Sequence, residues 1–415
     1  MTDDPVISRK GAGWFFQWQK WPLNAKVDRI REEKDSVKAE LTLKARIEDQ
    51  DVHLYQSVLN LTSQTARRTA VKHLGELHGE DSFRPDWTEV LETVCLEVLR
   101  RLRMGEPLRI IRGDAEDYPL ALSWRLKPLV LDRHPTILFG EGGLAKSWFA
   151  LWCGLLGTQG VSRCGLTPVT GNWLYLDWET SEEEVNRRVA MLKNGERSLA
   201  NAEILYRRCA ASLADELDEI MDEITGCSVQ GIVIDSLLGA CGGGELQKEA
   251  TPGAFFRAFR RLNVGGLIIG HTQKGSLEKT VFGSAFWQNQ ARSVWEAVGF
   301  AEPGEREIYI GLKHNKVNIG RKHTPLAFRF AFSDDDSSVV VSQADYTEIP
   351  GMEKGVSLGK RIQDYLKAGT ASLGQIAESL ESGKATVAVT LSRLKKRGLV
   401  LQVGEGWGVP SHETG

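Results

Sequence analysis

The most informative segment of this chain is Gly140-Glu141-Gly142-Gly143-Leu144-Ala145-Lys146-Ser147. It directly follows the apolar run 136–139 and directly precedes the apolar-periodic segment 148–156, a pattern that predicts a strand, a glycine-rich loop and a helix. The backbone N–H groups of such a loop point into one concavity, and the positive end of the following helix strengthens the field there. The segment therefore predicts a site for the phosphate groups of a nucleotide.

The side chains of this loop predict ATP and Mg²⁺ as cofactors. Lys146 is placed to reach the β- and γ-phosphates, and the Ser147 hydroxyl is placed to ligate Mg²⁺. Ala145 stands where the motif G-x-x-x-x-G-K-[ST] has its second glycine, and its methyl group would crowd the phosphate, or strain the turn if φ is positive there. The alternative is a glycine-rich turn that binds nothing. The residues expected to contact the nucleotide here are Gly140, Glu141, Gly142, Gly143, Leu144, Ala145, Lys146, Ser147 and Trp148.

The composition of the 415-residue chain is that of a soluble globular protein, and its length predicts two or three domains. A net charge of −3 provides no overall basic field, so any contact with DNA must come from local patches. The six cysteines include no C-x-x-C pair, which is typical of reduced thiols in a cytosolic protein. The N-terminal residues lack the features of a signal peptide and no apolar run is long enough to span a membrane, so we expect a cytoplasmic protein without membrane contact.

Residues 1–110 are expected to form a small α+β domain. Polar and apolar residues alternate over 26–47, and helical patterns follow over about 63–79 and 87–104. An aromatic cluster near the start stacks nucleic-acid bases in one interpretation, and forms the core of the domain or a subunit contact in the other. The cluster consists of Trp14, Phe15, Phe16, Trp18 and Trp21.

Residues 111–350 alternate short apolar runs with helical segments. The runs at 136–139, 173–177, 230–234 and 266–270 predict the strands of an α/β fold, a mainly parallel sheet with helices on both faces. Ligands of such sheets bind at the carboxyl ends of the strands, where the phosphate loop lies.

Polar residues follow the second, third and fourth of these predicted strands. Glu179 comes after the second, where its carboxylate can accept a proton from an attacking water; the alternative is an exposed acid in the first turn of a helix. Asp235 closes the third, and a buried carboxylate there is stabilised by hydrated Mg²⁺. His271 and Gln273 follow the fourth, where they lie beside the γ-phosphate or are ordinary polar groups at a strand exit. These residues supply the parts of a phosphoryl-transfer site.

The order of these motifs resembles that of RecA-type ATPases, and specifically of the branch that contains the RepA-like hexameric plasmid helicases and related AAA-type ATPases of phages and mobile elements. The resemblance covers about residues 125–335 and includes Phe282-Gly283-Ser284 and Ala291-Arg292-Ser293-Val294-Trp295. It implies a RecA-like fold with nucleotide bound at the phosphate loop.

The resemblance also implies a role for each polar residue of the site. Lys146 and Ser147 match the nucleotide and Mg²⁺ ligands of the family, and Asp235 matches the acid that supports the metal. Glu179 matches the catalytic carboxylate, and the segment 271–273 matches the sensor of the γ-phosphate.

Members of this group assemble as hexameric rings, which implies a homo-oligomer in which a basic residue of the next subunit completes each site. Lys313 and Arg321, at the two ends of a basic stretch, are the candidates for this catalytic role; the alternative is a solvated basic hairpin. Two loops of the family face the ring channel and touch single-stranded DNA, and they correspond here to about 238–252 and 274–281. The basic residues of these loops are Lys248, Lys274 and Lys279.

Residues 351–415 carry three short amphipathic helical patterns and a hairpin-like pattern, which together resemble winged helix-turn-helix domains. Ser372 and Ser382 are placed to cap the second and third helices. Such a domain reads the major groove of duplex DNA with the start of its third helix, and the alternative is a protein-docking module. The residues expected to contact DNA are Lys384, Thr386, Thr390, Arg393, Lys395, Lys396 and Arg397.

The sequence therefore predicts a ring-forming, DNA-dependent ATPase or helicase of a plasmid, phage or integrated element, with single-stranded and also double-stranded DNA as partners. One alternative is a non-translocating ATPase whose nucleotide state switches DNA binding, as in a regulator or recombination factor. Another is a degenerate nucleotide-binding scaffold, for which Ala145 is the best evidence.

Overall fold

The structure is a computed structural model that describes residues 4–10, 13–32, 35–47, 50–78, 85–104, 110–111, 113, 121–243, 246, 248–272, 285–302, 304–346, 349–352 and 358–410. The strands are β1 (Val6–Lys10), β2 (Gly13–Gln17), β3 (Leu23–Glu32), β4 (Val37–Ile47), β5 (Gln50–Asn60), β6 (Trp124–Lys127), β7 (Val130–Leu131), β8 (Pro135–Gly140), β9 (Thr167–Pro168), β10 (Asn172–Asp177), β11 (Leu205–Arg208), β12 (Val229–Asp235), β13 (Gly265–His271), β14 (Ser293–Phe300), β15 (Glu307–Val317), β16 (Leu326–Phe332), β17 (Val339–Gln343), β18 (Leu401–Val403) and β19 (Gly406–Gly408). The helices are α1 (Gln64–His78), α2 (Trp87–Arg103), α3 (Lys146–Gln159), α4 (Glu182–Gly195), α5 (Leu217–Gly226), α6 (Leu237–Ala240), α7 (Ala250–Leu262), α8 (Ala285–Gln290), α9 (Leu358–Tyr365), α10 (Leu373–Ser379) and α11 (Lys384–Lys396).

The N-terminal part of the chain is an antiparallel sheet, β1 to β5 in sequential order, packed against α1 and α2. Alternate residues of β3 and β4 enter the core because successive side chains of a strand point to opposite faces. Phe16 and Trp18 of the aromatic cluster are buried in this core, with ring centroids 6.1 Å apart. The core interpretation is therefore confirmed for these two aromatic residues.

The central sheet has nine strands in the order β11-β10-β12-β13-β8-β14-β15-β16-β17. The six strands from β11 to β14 run parallel, and β15, β16 and β17 are each antiparallel to the strand before them. The predicted α/β class is confirmed. The chain leaves β8 towards one side of the sheet and returns to its other side as β14, so the end of β8 is a switch point of the topology, where open sheets bind their ligands.

The helices cover both faces of this sheet because its strands are apolar on both sides. Trp173 and Tyr175 of β10 pack on the side of α3 and α4, whereas Leu174 and Leu176 pack on the side of α5 and α7. The four predicted strands are confirmed to within about one residue, since continuous apolar runs are typical of strands buried on both faces.

The C-terminal part forms α9, α10 and α11 around a small core, followed by the hairpin β18–β19. Ala371 forms an isolated antiparallel bridge with Trp407, which ties the start of α10 to the hairpin. Ser372 caps α10 in a capping box with Gln375, as predicted. The prediction for Ser382 was wrong: Gly383 is the N-cap of α11, because the Ser382 hydroxyl donates to the Leu380 carbonyl instead.

None of the six cysteines forms a disulfide. Within the described residues, no helix has both the length and the apolar character needed to cross a membrane.

Candidate active site

The phosphate loop leaves the sheet at Gly140, the last residue of β8. Gly140 pairs with His271 of β13 on one side and with Ala297 of β14 on the other. A Cβ atom at this position would lie 2.4 Å from the Ala297 carbonyl oxygen, so only glycine fits between the two strands. Gly142 and Gly143 are exposed with open space where a side chain would be, which leaves the backbone of the loop accessible to a ligand.

Ala145 adopts the left-handed conformation, with φ of +53°, that the motif normally assigns to glycine. This conformation costs an L-residue roughly 1–2 kcal/mol, so the predicted strain is present. The methyl group is buried in the apolar cluster that also contains Phe149 of α3. Since the methyl packs into the core, we expect it not to crowd a bound phosphate.

Lys146 begins α3 with its side chain folded over the loop. Its Nζ donates to the carbonyl oxygens of Gly140 at 3.1 Å and Glu141 at 2.5 Å. Burial lowers the pKa of Lys146 to about 8, against the opposing charges of Asp235, Glu179 and Glu141. A phosphate bound in the loop would give the ammonium group a negatively charged partner in place of these two neutral carbonyl oxygens.

Asp235 ends β12 and is almost fully buried. Tyr175 donates a hydrogen bond to Oδ2 at 2.6 Å, and the Ser147 hydroxyl also donates to this carboxylate. Burial raises the pKa of Asp235, and the bonds from Tyr175 and Ser147 oppose that rise. Its Oδ1 is also buried and accepts no hydrogen bond within the described residues.

The unsatisfied Oδ1 fits a hydrated Mg²⁺ ion. No group of three His, Cys, Asp or Glu side chains within the described residues could hold a metal. Mg²⁺ typically keeps several waters and takes one or two protein ligands beside substrate phosphates, so the small donor set of Ser147 and Asp235 suits it. These two residues would hold the ion when nucleotide is bound.

Glu179 is positioned by Asp177, a buried residue that the sequence analysis missed. Asp177 Oδ1 accepts hydrogen bonds from the backbone N–H groups of Glu179 and Thr180, both at 2.9 Å, and Oδ2 accepts from the Thr180 hydroxyl at 2.8 Å. Tyr206 donates to Oδ2 at 3.0 Å. An Asp that closes an apolar run was the signal used for Asp235, and the same signal applies to Asp177.

The carboxylate of Glu179 lies between Ser236 and His271. Ser236 donates a hydrogen bond to Oε1, and His271 Nε2 lies 3.6 Å from the same oxygen. The contact with His271 lowers the pKa of Glu179, with Ser236 and Lys146 adding to the effect against burial. The side chain is 40% exposed, so an ionised carboxylate beside the phosphate loop is accessible to water.

Of the other predicted catalytic residues, Lys313 and Arg321 form no hydrogen bond or ion pair with this cluster within the described residues. Gln273 lies outside the described residues, as do Lys274 and Lys279 of the predicted DNA loops. Lys313 is in the middle of β15, two strands from β8. Because β15 runs antiparallel to β14, it ends at the edge of the sheet opposite to the phosphate loop. Arg321 lies in the loop after that end.

The basic stretch 313–321 is not a solvated hairpin. Most of it belongs to β15 within the central sheet, where His314 is buried and stacked on Trp295 at 4.1 Å between ring centroids. Burial lowers the pKa of His314 to about 4. Lys316 donates to the carbonyl oxygens of Asn289 and Ala291 at 2.9 and 3.1 Å, which places its charge at the end of α8.

The remaining predicted contacts are spread over other surfaces. Trp148 packs edge-to-face on Phe332, with its ring 5.5 Å from the Arg188 guanidinium. Lys248 is exposed just before α7. Thr390 of α11 is half-buried and donates to the Thr386 carbonyl oxygen at 2.8 Å. The exposed residues on and after α11 are Lys384, Thr386, Arg393, Lys395, Lys396 and Arg397.

Comparison with known proteins agrees with this site. Residues 104–276, which include the phosphate loop, Glu179, Asp235 and His271, match a family described as an AAA domain. A KaiC-like protein from the hyperthermophilic archaeon Pyrococcus horikoshii matches with 15% identity and a TM-score of 0.38, over 57% of this chain and 99% of that one. No curated protein matches the sequence. Residues 104–276 are therefore similar in sequence to AAA domains, and they hold the phosphate loop at the switch point of the parallel sheet.

The burial of the Ala145 methyl predicts that Ala145→Gly changes nucleotide affinity by less than about threefold, since the methyl does not face the phosphate. Relief of roughly 1–2 kcal/mol of strain should be offset by lost methyl burial and a more flexible unfolded chain, leaving the free energy of unfolding within about 1 kcal/mol. Titration with a fluorescent ATP analogue and urea denaturation measure both. A more than tenfold gain in affinity would show that the methyl obstructs the phosphate.

The lowered pKa of Lys146 predicts that ATP binding takes up a proton near pH 8. About half of the Lys146 side chains are neutral at that pH, and bound phosphate favours the charged form. Affinity should therefore weaken about fivefold from pH 8 to pH 9. Calorimetry in buffers with different ionisation enthalpies measures the uptake. The Lys146→Arg chain, whose guanidinium stays charged, should show neither effect; equal uptake by that variant would contradict the assignment.

Proposed function

We propose that this chain is a ring-forming, DNA-dependent ATPase of the helicase type, encoded by a plasmid, phage or other mobile element, and that it hydrolyses ATP with Mg²⁺. The proposal of ATP hydrolysis rests on one observation, the position of the Glu179 carboxylate. It is fixed by Asp177 from behind and by Ser236 and His271 from the sides, next to the phosphate loop.

Each residue of the site has a chemical role in this proposal. Lys146 neutralises the β- and γ-phosphates, and Glu179 accepts a hydrogen bond from the attacking water and so orients it. Phosphoryl transfer passes through a loose transition state that demands positioning more than a strong base, which suits a carboxylate of lowered pKa. His271 lies beside both Glu179 and Gly140, where it can respond to the γ-phosphate. Mg²⁺ would neutralise charge on the phosphate oxygens.

The ring supplies the missing cation. Lys146 contacts the loop from within the same subunit, whereas Arg321 lies in the loop beyond the opposite edge of the sheet. An arginine on that edge can reach the phosphate loop of a neighbouring copy stacked on it, as an arginine supplied in trans does in other nucleotide hydrolases. Lys313 is the second candidate for this role.

DNA binding is supported by local basic surfaces. The exposed residues on and after α11 form a basic patch at the third helix of the C-terminal part, which resembles the recognition helix of a winged helix-turn-helix domain. The patch favours a second candidate function, an ATP-switched DNA-binding regulator or recombination factor. The degenerate scaffold is weakened, since the methyl of Ala145 packs into the core.

Glu179→Gln should separate ATP binding from hydrolysis. Removal of the carboxylate leaves the phosphate loop intact, so ATP affinity stays near that of the wild type while turnover falls by about 100-fold or more. Phosphate release and binding of a fluorescent analogue measure the two steps. Glu183→Gln, an exposed acid in the first turn of α4, is the matched control and should hydrolyse normally. Wild-type turnover by Glu179→Gln would exclude Glu179 as the catalytic group.

A mixing experiment tests the ring. Chains with Lys146→Ala and chains with Arg321→Ala should each be inactive, yet their mixture should recover part of the ATPase activity, because some interfaces pair an intact Lys146 with an intact Arg321. The same mixture can be made with Lys313→Ala. Mixing Lys146→Ala with Glu179→Gln should recover nothing, since both residues belong to one subunit. A wild-type chain that stays monomeric with ATP in a mass measurement would end the ring proposal.

A further inference from the structure

A cleft of about 590 Å³ separates the N-terminal sheet from the ATPase core. Its walls are α2 and the strands β1 to β3 on one side, and α7 with the turn before α5 on the other. Six arginines line it, against the three carboxylates of Glu32, Asp215 and Asp218. The arginines are Arg9, Arg29, Arg31, Arg101, Arg257 and Arg261. This is an unusual concentration of positive charge in a chain with a net charge of −3.

Ion pairs across the cleft fix its width. Arg29 Nη2 lies 3.3 Å from Glu219 Oε1, and Arg31 pairs with Asp215, so β3 is tied to the core around α5. These pairs account for two of the six arginines. The cleft therefore lies between the N-terminal sheet and the core, which these ion pairs hold together.

Two other arginines carry charge that the described residues do not neutralise. Arg9 and Arg257 are exposed, and neither forms an ion pair with any residue that the structure describes. The Trp14 ring holds the Arg9 and Arg101 guanidiniums at 5.7 and 5.1 Å from its centroid, which orients both along the cleft wall. Burial lowers the pKa of Arg261 and the charge of Arg9 adds to that lowering, as expected where positive charge is in excess.

The face of α7 is shaped to admit an extended anion. Ala254, Arg257, Ala258 and Arg261 recur at the spacing of one helical face, so two small residues leave room between two guanidiniums. Guanidiniums match phosphate oxygens with paired hydrogen bonds. A cleft of this volume suits a flexible single strand better than a rigid duplex.

We propose that this cleft binds the phosphate backbone of single-stranded nucleic acid, independently of base sequence. Contacts to phosphates alone carry no sequence information. The site is distinct from the predicted channel loops and from the basic patch on α11, and it exists within one subunit.

The cleft also leads towards the ATPase site. A neighbouring cavity of about 420 Å³ shares Arg29, Arg31 and Asp215 with it and extends to Arg208. Arg208 donates to the Thr180 carbonyl oxygen and lies 3.5 Å from Asp177 Oδ2, in the turn that positions Glu179. A strand bound in the cleft can therefore act on that turn. Only this coupling rests on the proposed function; the binding itself does not.

The test is fluorescence anisotropy of a labelled thymidine oligonucleotide with the full chain, without ATP. Arg9→Ala combined with Arg257→Ala should weaken binding by roughly tenfold and reduce the slope of log affinity against log salt by about 1.4, since each lost phosphate contact removes about 0.7. Arg260→Ala is the matched control, because Arg260 is exposed on the same helix outside the cleft. It should bind within twofold of the wild type. ATP hydrolysis without DNA should be the same in both variants as in the wild type.

Three results would overturn the proposal. The first is an unchanged affinity in the double variant, with the loss appearing instead in Arg393→Ala combined with Lys396→Ala on α11. The second is a wild-type chain that does not bind the oligonucleotide at all. The third is displacement of the oligonucleotide by mononucleotides at equal phosphate concentration, which would make the cleft a mononucleotide site. Failure of the proposed ATPase appears separately, as absent phosphate release from a chain that still binds the oligonucleotide through the cleft.

Discussion

A carboxylate buried in a protein interior is unfavourable unless partners compensate its charge, and Asp235 is such a carboxylate. Tyr175 and Ser147 satisfy part of it, and Oδ1 remains without a partner among the described residues. The unsatisfied oxygen makes sense if the site is complete only with a hydrated cation and a nucleotide. The neighbouring charges follow the same logic: Lys146 is buried with a lowered pKa, and Glu179 is held ionised beside it.

The parallel sheet is what brings these charges together. Gly140, Asp177, Asp235 and His271 each end a strand, and parallel strands place all four ends at one edge. Asp177 is the strand partner of Asp235, and His271 is the strand partner of Gly140, so the sheet itself sets their positions. The antiparallel strands β15 to β17 extend the sheet on the far side. They place Lys313 level with Phe139 but two strands away from it, and Arg321 beyond the opposite edge.

The sequence was most informative where burial is complete. The strands β8, β10, β12 and β13 were predicted because short, continuous apolar runs are typical of strands buried on both faces. The strands β1, β2 and β5 were not, since they are short or rich in polar residues. Ser382 lies one residue before the N-cap of α11, and its hydroxyl donates to the nearby Leu380 carbonyl oxygen instead of capping the helix. The arginine cleft lay beyond prediction, because its residues come from positions as distant as Arg9 and Arg257 and only the packing of two layers brings them together.

Phosphate release from ATP as a function of Mg²⁺ concentration measures most directly whether Asp235 supports a metal in a working ATPase site. We expect turnover by the wild-type chain to depend on Mg²⁺. The Asp235→Asn chain, in which the side chain keeps its shape and loses its charge, should be slower by about 100-fold or more at saturating ATP. Phosphate release that is independent of Mg²⁺, or an Asp235→Asn chain as fast as the wild type, would contradict this role of Asp235.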